Sequence, residues 1–319
     1  MDYADRPVLV TGGAGFIGSH LVEALVRRRA RVTVVDNLSS GSSDNLDAVM
    51  SCLESHPLDI TKDDLRPLLV KQKFDVIFHL AGHASVSESV NHPRRDFEKN
   101  LVGTFNLLEA VRDVLPQTRI LLASSAAVYG EGTGTPFLET DSIRPRSPYG
   151  VGKLAAERYM EVFATLYGLR TVSLRLFPVY GPRLRSLVVH DLMRKIAHNS
   201  KEILIDGDGT QVRDFVYVTD VADAFLTVGE KGDLSGGIYN VASGTPVSIR
   251  TLAQMLCARM GVTPHIVYSG EVRPGISLRW SADISRVRGL GYQPKMSLDE
   301  GLSATVSWFR KEMAMANVS

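Results

Sequence analysis

Cysteine is nearly absent from this 319-residue chain, which has only Cys52 and Cys257. They lie far apart and match no metal-binding or redox spacing. Both are expected to be buried, reduced thiols in a cytosolic protein. Long apolar runs are missing as well. Although 44% of residues are hydrophobic, no run approaches the roughly 18 residues of a membrane span. Neither sign of charge is in excess. With 36 Lys+Arg against 35 Asp+Glu, nothing suggests a nucleic-acid-binding tail or a disordered chain. The opening MDYADRPVLV has neither the basic nor the apolar segment of a secretion signal, so secretion is not expected. There are no repeats and no low-complexity segment. The chain is nonetheless long enough to bury a large core and form two lobes.

What is present begins with glycine. Pro7–Thr11 reads PVLVT, an apolar run suited to a buried parallel strand. It runs directly into Gly12, Gly13, Ala14, Gly15, Phe16, Ile17 and Gly18, then into a helical pattern through Leu21, Leu25 and Val26. Glycines in that order permit a tight turn, close approach of the backbone to a pyrophosphate, and packing of the helix on the sheet. The second strand, RVTVVD, ends on Asp36, near the spacing of about 20 residues at which a carboxylate reaches the ribose diol of a dinucleotide. A carboxylate there repels a 2′-phosphate, so NAD is favoured over NADP. Asn37, Ser39, Ser40 and Gly41 follow as a polar loop able to skirt the ribose.

The alternation continues with a short strand near His56–Leu58, a helix after Thr61 and the strand DVIFHLAG at 75–82. A helix over Pro93–Val114 carries Asn100, and the strand Arg119–Ser125 follows it. Such βαβ alternation predicts an α/β fold with a doubly wound parallel sheet. The stretch Ser124–Lys153, SSAAVYGEGTGTPFLETDSIRPRSPYGVGK, holds the candidate chemistry in Ser125, Tyr149 and Lys153. Tyr149 and Lys153 stand at i, i+4 and share a face of a helix running to about Tyr167. A lysine ammonium beside a phenol favours the phenolate, so Tyr149 is a candidate general base.

In order along the chain stand TGGAGFIG, VVDNLSSG, HLAG, SSAAVYG, SPYGVGK, RLF-x-VYGPR, GDGTQVRDFVYV and RPG. With these motifs the chain resembles the extended short-chain dehydrogenases/reductases of the nucleotide-sugar epimerase/dehydratase family. Its central motif is most similar to that of the UDP-glucose 4-epimerases. The resemblance implies a Rossmann domain over 1–177 and a smaller C-terminal substrate-binding lobe over 178–319, with 215–243 returning to the Rossmann core. It implies bound NAD, a nucleotide-diphosphate sugar as substrate, a cytoplasmic location and a homodimer. The homodimer would pair the helices near Pro93–Val114 and Tyr149–Tyr167, with Phe105, Leu108, Met160 and Phe163 as candidates for the outer faces and a core role for any one of them equally open.

By the same resemblance Ser125 hydrogen-bonds the sugar C4 oxygen, Tyr149 transfers the proton, and Lys153 also holds the nicotinamide ribose. Asp59 and Ile60 match a pair beside the adenine, and Leu80 and Ala81 a stretch beside the pyrophosphate. Arg213 and Arg273 match two arginines that grip the substrate diphosphate. His83 and Glu88 fall in a loop expected to face the sugar pocket, where His83 either touches a ligand or stays solvated. Elimination chemistry in relatives uses Asp and Glu straight after the central Ser/Thr, where this chain has Ala126 and Ala127. Epimerisation at C4 through a transient 4-keto sugar is therefore favoured. A nucleotide-sugar dehydrogenase or 4-ketoreductase, and a non-catalytic NAD-binding regulator, are the alternatives. Pro178, Asp206 and Ile276 depart from the UDP-sugar pattern.

Overall fold

The computed structural model describes residues 2–132, 135–271 and 278–316. The first half alternates as expected: β1 Pro7–Thr11, α1 Phe16–Arg27, β2 Arg31–Val35, β3 Leu53–His56, α2 Arg66–Gln72 and β4 Val76–His79. Then come α3 Val86–Asn91, α4 Pro93–Phe97, a π-helical turn Glu98–Val102, α5 Gly103–Val114 and β5 Arg119–Ser125. After a long loop follow α6 Pro148–Tyr167, β6 Arg170–Leu176, β7 Val179–Tyr180, α7 Leu187–His198, β8 Glu202–Ile205, β9 Val212–Arg213 and β10 Val216–Tyr217. The last part contains α8 Val218–Lys231, β11 Ser235–Val241, β12 Val247–Ser248, α9 Ile249–Met260, β13 His265–Tyr268, β14 Arg279–Trp280, α10 Ser285–Arg288 and α11 Leu298–Ala316.

Seven strands form one sheet in the order β11-β6-β5-β4-β1-β2-β3. Every pairing in it is parallel. The inner strands are apolar on both faces and alternate between two cores. Val8 and Val10 of β1, with Val76 and Phe78 of β4, join the core that includes Leu21 and Leu25 of α1 and Phe225 of α8. Leu9 and Ile77 point the other way, into the core holding Leu68, Leu107, Leu108, Met160 and Phe163. This period of two is what continuous apolar strands need when helices cover both faces. Strand order reverses between β1 and β4, and in such sheets the crevice at that reversal takes the ligand. Beyond the sheet stand three small pairings: β7 with β10, β9 with β12 and β14, and β8 with β13.

Three expectations are corrected and one open alternative is decided. The third strand lies at Leu53–His56, not near His56–Leu58, because it pairs with β2 from Val32↔Leu53 to Val35↔His56. It is an edge strand with Glu54 and Ser55 exposed, so it lacks an apolar signature. The helix over Pro93–Val114 is interrupted by the π-helical turn. Cys52 is exposed, and only Cys257 is buried. Leu108, Met160 and Phe163 belong to the core rather than to an outer face, and Phe105 packs against that core. Among the described residues no helix is long and apolar enough to cross a membrane.

Two histidines are buried neutral. His79 on β4 bridges Thr11 Oγ1 at 2.7 Å and Thr104 Oγ1 at 2.9 Å. His20 on α1 lies 3.1 Å from the Pro182 carbonyl. Burial pushes His79 down to about 3 and His20 down to about 4, from 6.5. The unfolded chain binds protons that these rings refuse, so their contribution is complete above about pH 6.5 and is lost as pH falls toward the folded values. The melting temperature should therefore drop between about pH 7 and about pH 5, with up to roughly 1.4 kcal/mol per pH unit from each ring. Calorimetry should show a shallower pH dependence for His79→Asn, and an identical slope would refute the assignment.

Candidate functional site

The crevice is shaped first by backbone. Gly12 follows β1 with φ +72°, and a Cβ there would stand 2.6 Å from the Ala81 amide nitrogen. A Cβ on Gly18 would lie 2.1 Å from the Gly12 carbonyl oxygen. Glycine is therefore required at both positions. Gly15 caps α1 without a side-chain hydrogen bond, so the first-turn amides face an incoming anion instead of a cap. Asp36 Oδ2 accepts the Ala14 amide at 3.0 Å, and Oδ1 accepts that of Leu38 at 2.8 Å. The carboxylate thereby ties the glycine loop to the loop after β2, with further lone pairs left for a diol.

Gly12, Gly15, Asp36, Asn37, Ser39, Ser40, Asp59, Ile60, Leu80 and Ala81 line one cleft of about 280 Å³. Phe16 and Ile17 open α1, half-buried, and Gly41 sits against Ala14, where a Cβ would come within 2.8 Å. The glycine cradle and the uncapped helix start fit a dinucleotide. Lys62, Arg95, Glu98 and Lys99 line the same cleft and were not anticipated. Arg95, Glu98 and Lys99 stand at i, i+3, i+4, so the helical spacing could have shown them on one face. Lys99 Nζ donates to Ser39 Oγ at 3.2 Å across the crevice.

At the crevice's inner end the structure brings Ser125, Tyr149 and Lys153 together. Ser125 ends β5, and its Oγ accepts the Ala127 amide at 3.2 Å. Helix α6 starts where Ser147 Oγ accepts the Gly150 amide at 3.1 Å, with Pro148 in its first turn. Tyr149 and Lys153, one turn apart, are only 7% and 6% exposed. Burial pushes the Tyr149 phenol up to about 12, opposed by its hydrogen bond to Ser125 and reinforced by the charge of Asp96. Burial likewise pushes Lys153 down to about 8, against the charges of Asp96 and Glu157. The expectation that Lys153 makes Tyr149 a phenolate is thus corrected. On the protein's own groups, desolvation dominates and the phenol is held above its ordinary value.

The π-helical turn directs Asn100 inward, as such turns often do at sites. Asn100 Oδ1 accepts the His83 amide at 3.0 Å, and Nδ2 donates to Asp96 Oδ1 at 2.9 Å. Lys153 Nζ and Asn100 Oδ1 both flank Gly82, where a Cβ would lie 3.3 Å from the first and 2.6 Å from the second. Below them, Glu157 holds Arg175 through Nη2–Oε2 at 2.8 Å and Nε–Oε1 at 3.0 Å. Ser124 donates to the same Glu157 Oε1 at 2.5 Å. Sequence reasoning passed over this pair, whose one signal was an arginine inside the apolar strand RTVSLRL.

On the substrate side, Arg213 lies on β9, stacked 5.0 Å over Trp280. Its Nη1 donates to the carbonyls of Val212 and Leu278 at 2.8 and 3.2 Å. Burial pushes Arg213 down to about 10. Arg273 and Ile276 fall outside the described residues. Pro178 offers its carbonyl to the Val216 amide at 3.0 Å, and Asp206 is exposed. His83 is not a solvated loop residue: its Nε2 meets Glu88 Oε2 at 2.9 Å and its side chain is mostly buried. Ala126 and Ala127 are buried beside Ser125.

A family model described as the NAD dependent epimerase/dehydratase family matches residues 8–242. A UDP-glucose 4-epimerase of Mycolicibacterium smegmatis is 37% identical over 314 residues, covering 95% of this chain and 98% of that protein. Among solved structures, a UDP-N-acetylglucosamine 4-epimerase from Methanobrevibacter ruminantium in complex with UDP-N-acetylmuramic acid superposes with a TM-score of 0.89. Its identity is 35%, over 97% of this chain and 100% of that one. A UDP-glucuronic acid 4-epimerase from Bacillus cereus, in complex with UDP-glucuronic acid and NAD, gives 0.89 at 32% identity, over 96% and 99%.

Asp36 at the end of β2 sets the expected cofactor choice. NAD should bind at least about tenfold more tightly than NADP, or ~1.4 kcal/mol. Titration calorimetry checks this, and equal affinities would remove Asp36 as the discriminator.

Proposed function

The chain belongs to the NAD dependent epimerase/dehydratase family, and from that premise we propose that it inverts C4 of a nucleotide-diphosphate sugar. One observation carries the reading. Ser125, Tyr149 and Lys153 converge beside the dinucleotide crevice while buried alanines, Ala126 and Ala127, occupy the positions next to Ser125. The site can move a hydroxyl proton but offers no acid there for eliminating water. NAD, when bound, supplies a reversible hydride acceptor and a positive charge that favours the Tyr149 phenolate.

The residues divide the remaining work. Ser125 Oγ, fixed at the end of β5, orients the C4 oxygen, and Tyr149 Oη takes its proton. Lys153 stabilises the phenolate and holds the nicotinamide ribose. Asn100 fixes the Gly82–His83 backbone beside them. Inversion requires the 4-keto sugar to turn its other face before C4 is reduced, after which Tyr149 returns the proton to the C4 oxygen. No further acid or base is needed. We assign the diphosphate to Arg213 and Arg273, in a smaller lobe over 178–319 from which 215–243 returns to the Rossmann domain over 1–177. The substrates named for the relatives, UDP-glucose, UDP-N-acetylglucosamine and UDP-glucuronate, support a UDP-sugar as the first class to assay.

We further propose a homodimer through α6. Its inner face buries Ala156, Met160 and Phe163. A second stripe, Val151, Ala155, Tyr159, Val162 and Leu166, repeats at three and four residues along the outer side. Its large members are exposed, Leu166 by 67%. Two such stripes on one helix call for two partners.

Two outcomes test these readings. Purified protein incubated with UDP-sugars and no added cofactor should equilibrate a pair of C4 epimers, and denaturing it should release NAD. Tyr149→Phe should keep the fold and the NAD while turnover falls by roughly 10²–10⁴; near-native turnover would remove Tyr149 as the base, and loss of water detected by mass spectrometry would overturn epimerisation. For the interface, Val162→Glu should leave circular dichroism unchanged and convert a dimer to a monomer by light scattering. A wild-type monomer at micromolar concentration would contradict the assembly.

A further inference from the structure

Asp96 is a carboxylate that the proposed chemistry does not use. It lies on α4, 3% exposed. Its Oδ1 receives the Asn100 amide, but Oδ2 is buried without a hydrogen-bond partner. Leaving such an atom bare is costly, and more so when it is charged. Oδ2 points at α6 through the space a side chain would otherwise fill, since a Cβ on Gly152 would stand 3.4 Å from it. Gly152 immediately precedes Lys153, and its lack of a side chain lets α4 bring a negative charge against the turn that carries Tyr149 and Lys153.

The surroundings identify what that charge acts on. Asp96 is faced by Lys153 from α6, by His83 and Glu88 from the segment after β4, and by the Asn100 amide. Lys153 is faced by Asp96 and Glu157, and its charge is felt by His79 of β4. Tyr149 is faced by Asp96 and Ser125, and His83 also feels Lys99. Glu157 is already committed to Arg175 and Ser124. Of the two carboxylates that face Lys153, only Asp96 keeps an oxygen without a hydrogen-bond partner.

We propose that Asp96 is a positioning residue: a buried carboxylate that, aimed at the Lys153 turn, keeps Lys153 an ammonium and, through Asn100, holds the Gly82–His83 backbone beside it. The inference rests on Tyr149 and Lys153 forming the proton-transfer pair, and it deepens that assignment. The same charge disfavours the phenolate, so Asp96 trades some basicity at Tyr149 for a protonated Lys153. Lys153 and Tyr149 should both titrate at lower pH once the charge is removed.

The test reads Lys153 directly in the NAD-loaded protein. With lysine labelled at Cε, the Lys153 resonance is assigned by its loss in Lys153→Met and titrated by NMR. In Asp96→Asn its midpoint should fall by at least about half a pH unit, while Asp96→Glu, which keeps the charge, should stay near wild type. An unmoved midpoint in a folded Asp96→Asn would overturn the inference, because a purely structural role alters stability and not this titration. Should Asp96→Asn fail to fold, Asp96→Ser is read in the same way, and loss of the fold in both assigns Asp96 to folding alone and overturns it too. The readout needs no sugar. A wild type inactive on every nucleotide sugar, with a midpoint that still moves, leaves Asp96 supported and sinks only the epimerase reading.

Discussion

The geometry of the site hangs on one buried ion pair. Glu157 and Arg175 meet at 2.8 Å with side chains 1% and 0% exposed. Removing two charges from water is expensive, and a buried pair often adds little net stability. Its value here is positional. Glu157 sits one turn after Lys153 on α6, Arg175 lies on β6, and Ser124, which completes the contact, directly precedes Ser125 on β5. Three elements are thus referenced to one carboxylate. A fork-to-carboxylate bond tolerates little sliding, so α6 cannot shift along the sheet without leaving a charge unpaired, at a cost of roughly 3–5 kcal/mol. Tyr129 extends the constraint: its ring lies 4.7 Å under the Arg175 guanidinium, and its hydroxyl reaches Asn240 on β11 at 2.7 Å.

The burial that protects this pair also sets the state of Tyr149 and Lys153. Desolvation, joined by the charge of Asp96, drives the Tyr149 phenol up, and desolvation drives the Lys153 ammonium down. Both shifts move each group toward its neutral form, the opposite of an ion pair. Asp96 and Glu157 counter that drift at Lys153, while Ser125 counters it at Tyr149. A phenol held protonated beside a buried ammonium leaves room for one more positive charge to act, and a dinucleotide in the crevice would bring it. Low dielectric makes that added charge worth far more than it would be in water.

Some of this was legible in the residues and some was not, for physical reasons. The β1–glycine loop–α1–β2–Asp36 unit is local: apolar strands, obligatory glycines and a carboxylate at fixed spacing each announce themselves in sequence. So does the start of α6, where Ser147 and Pro148 cap the helix. What escaped depends on partners that sequence does not display. β3 is polar because it is an edge strand. Phe163 and Leu166 are both apolar, and only the packing of α6 on the sheet decides that the first is buried and the second exposed. The sign of the Tyr149 shift failed for the same reason. The i+4 lysine is visible in sequence, whereas the desolvation that dominates at Tyr149 is a property of the folded surroundings.

Chemistry and selectivity also occupy different kinds of structure. Ser125, Tyr149 and Lys153 are built on a strand end and on a helix locked by Glu157, where small displacements are penalised. Arg213, by contrast, is held by a stack on Trp280 and by two carbonyls, on a three-stranded sheet of two-residue segments. Pro178 turns the chain out of β6, with its carbonyl committed to Val216 and no amide to offer a ligand. Exposed loops tolerate such changes far better than strand ends do. Departures from the UDP-sugar pattern at Pro178 and Asp206 can therefore accumulate without disturbing Ser125, Tyr149 or Lys153. Ala126 and Ala127 are different: they sit inside the locked half, against Ser125, and so bear on which reaction is performed rather than on which nucleotide is held. Acids at positions 126 and 127 would have to enter a turn whose side chains are already buried.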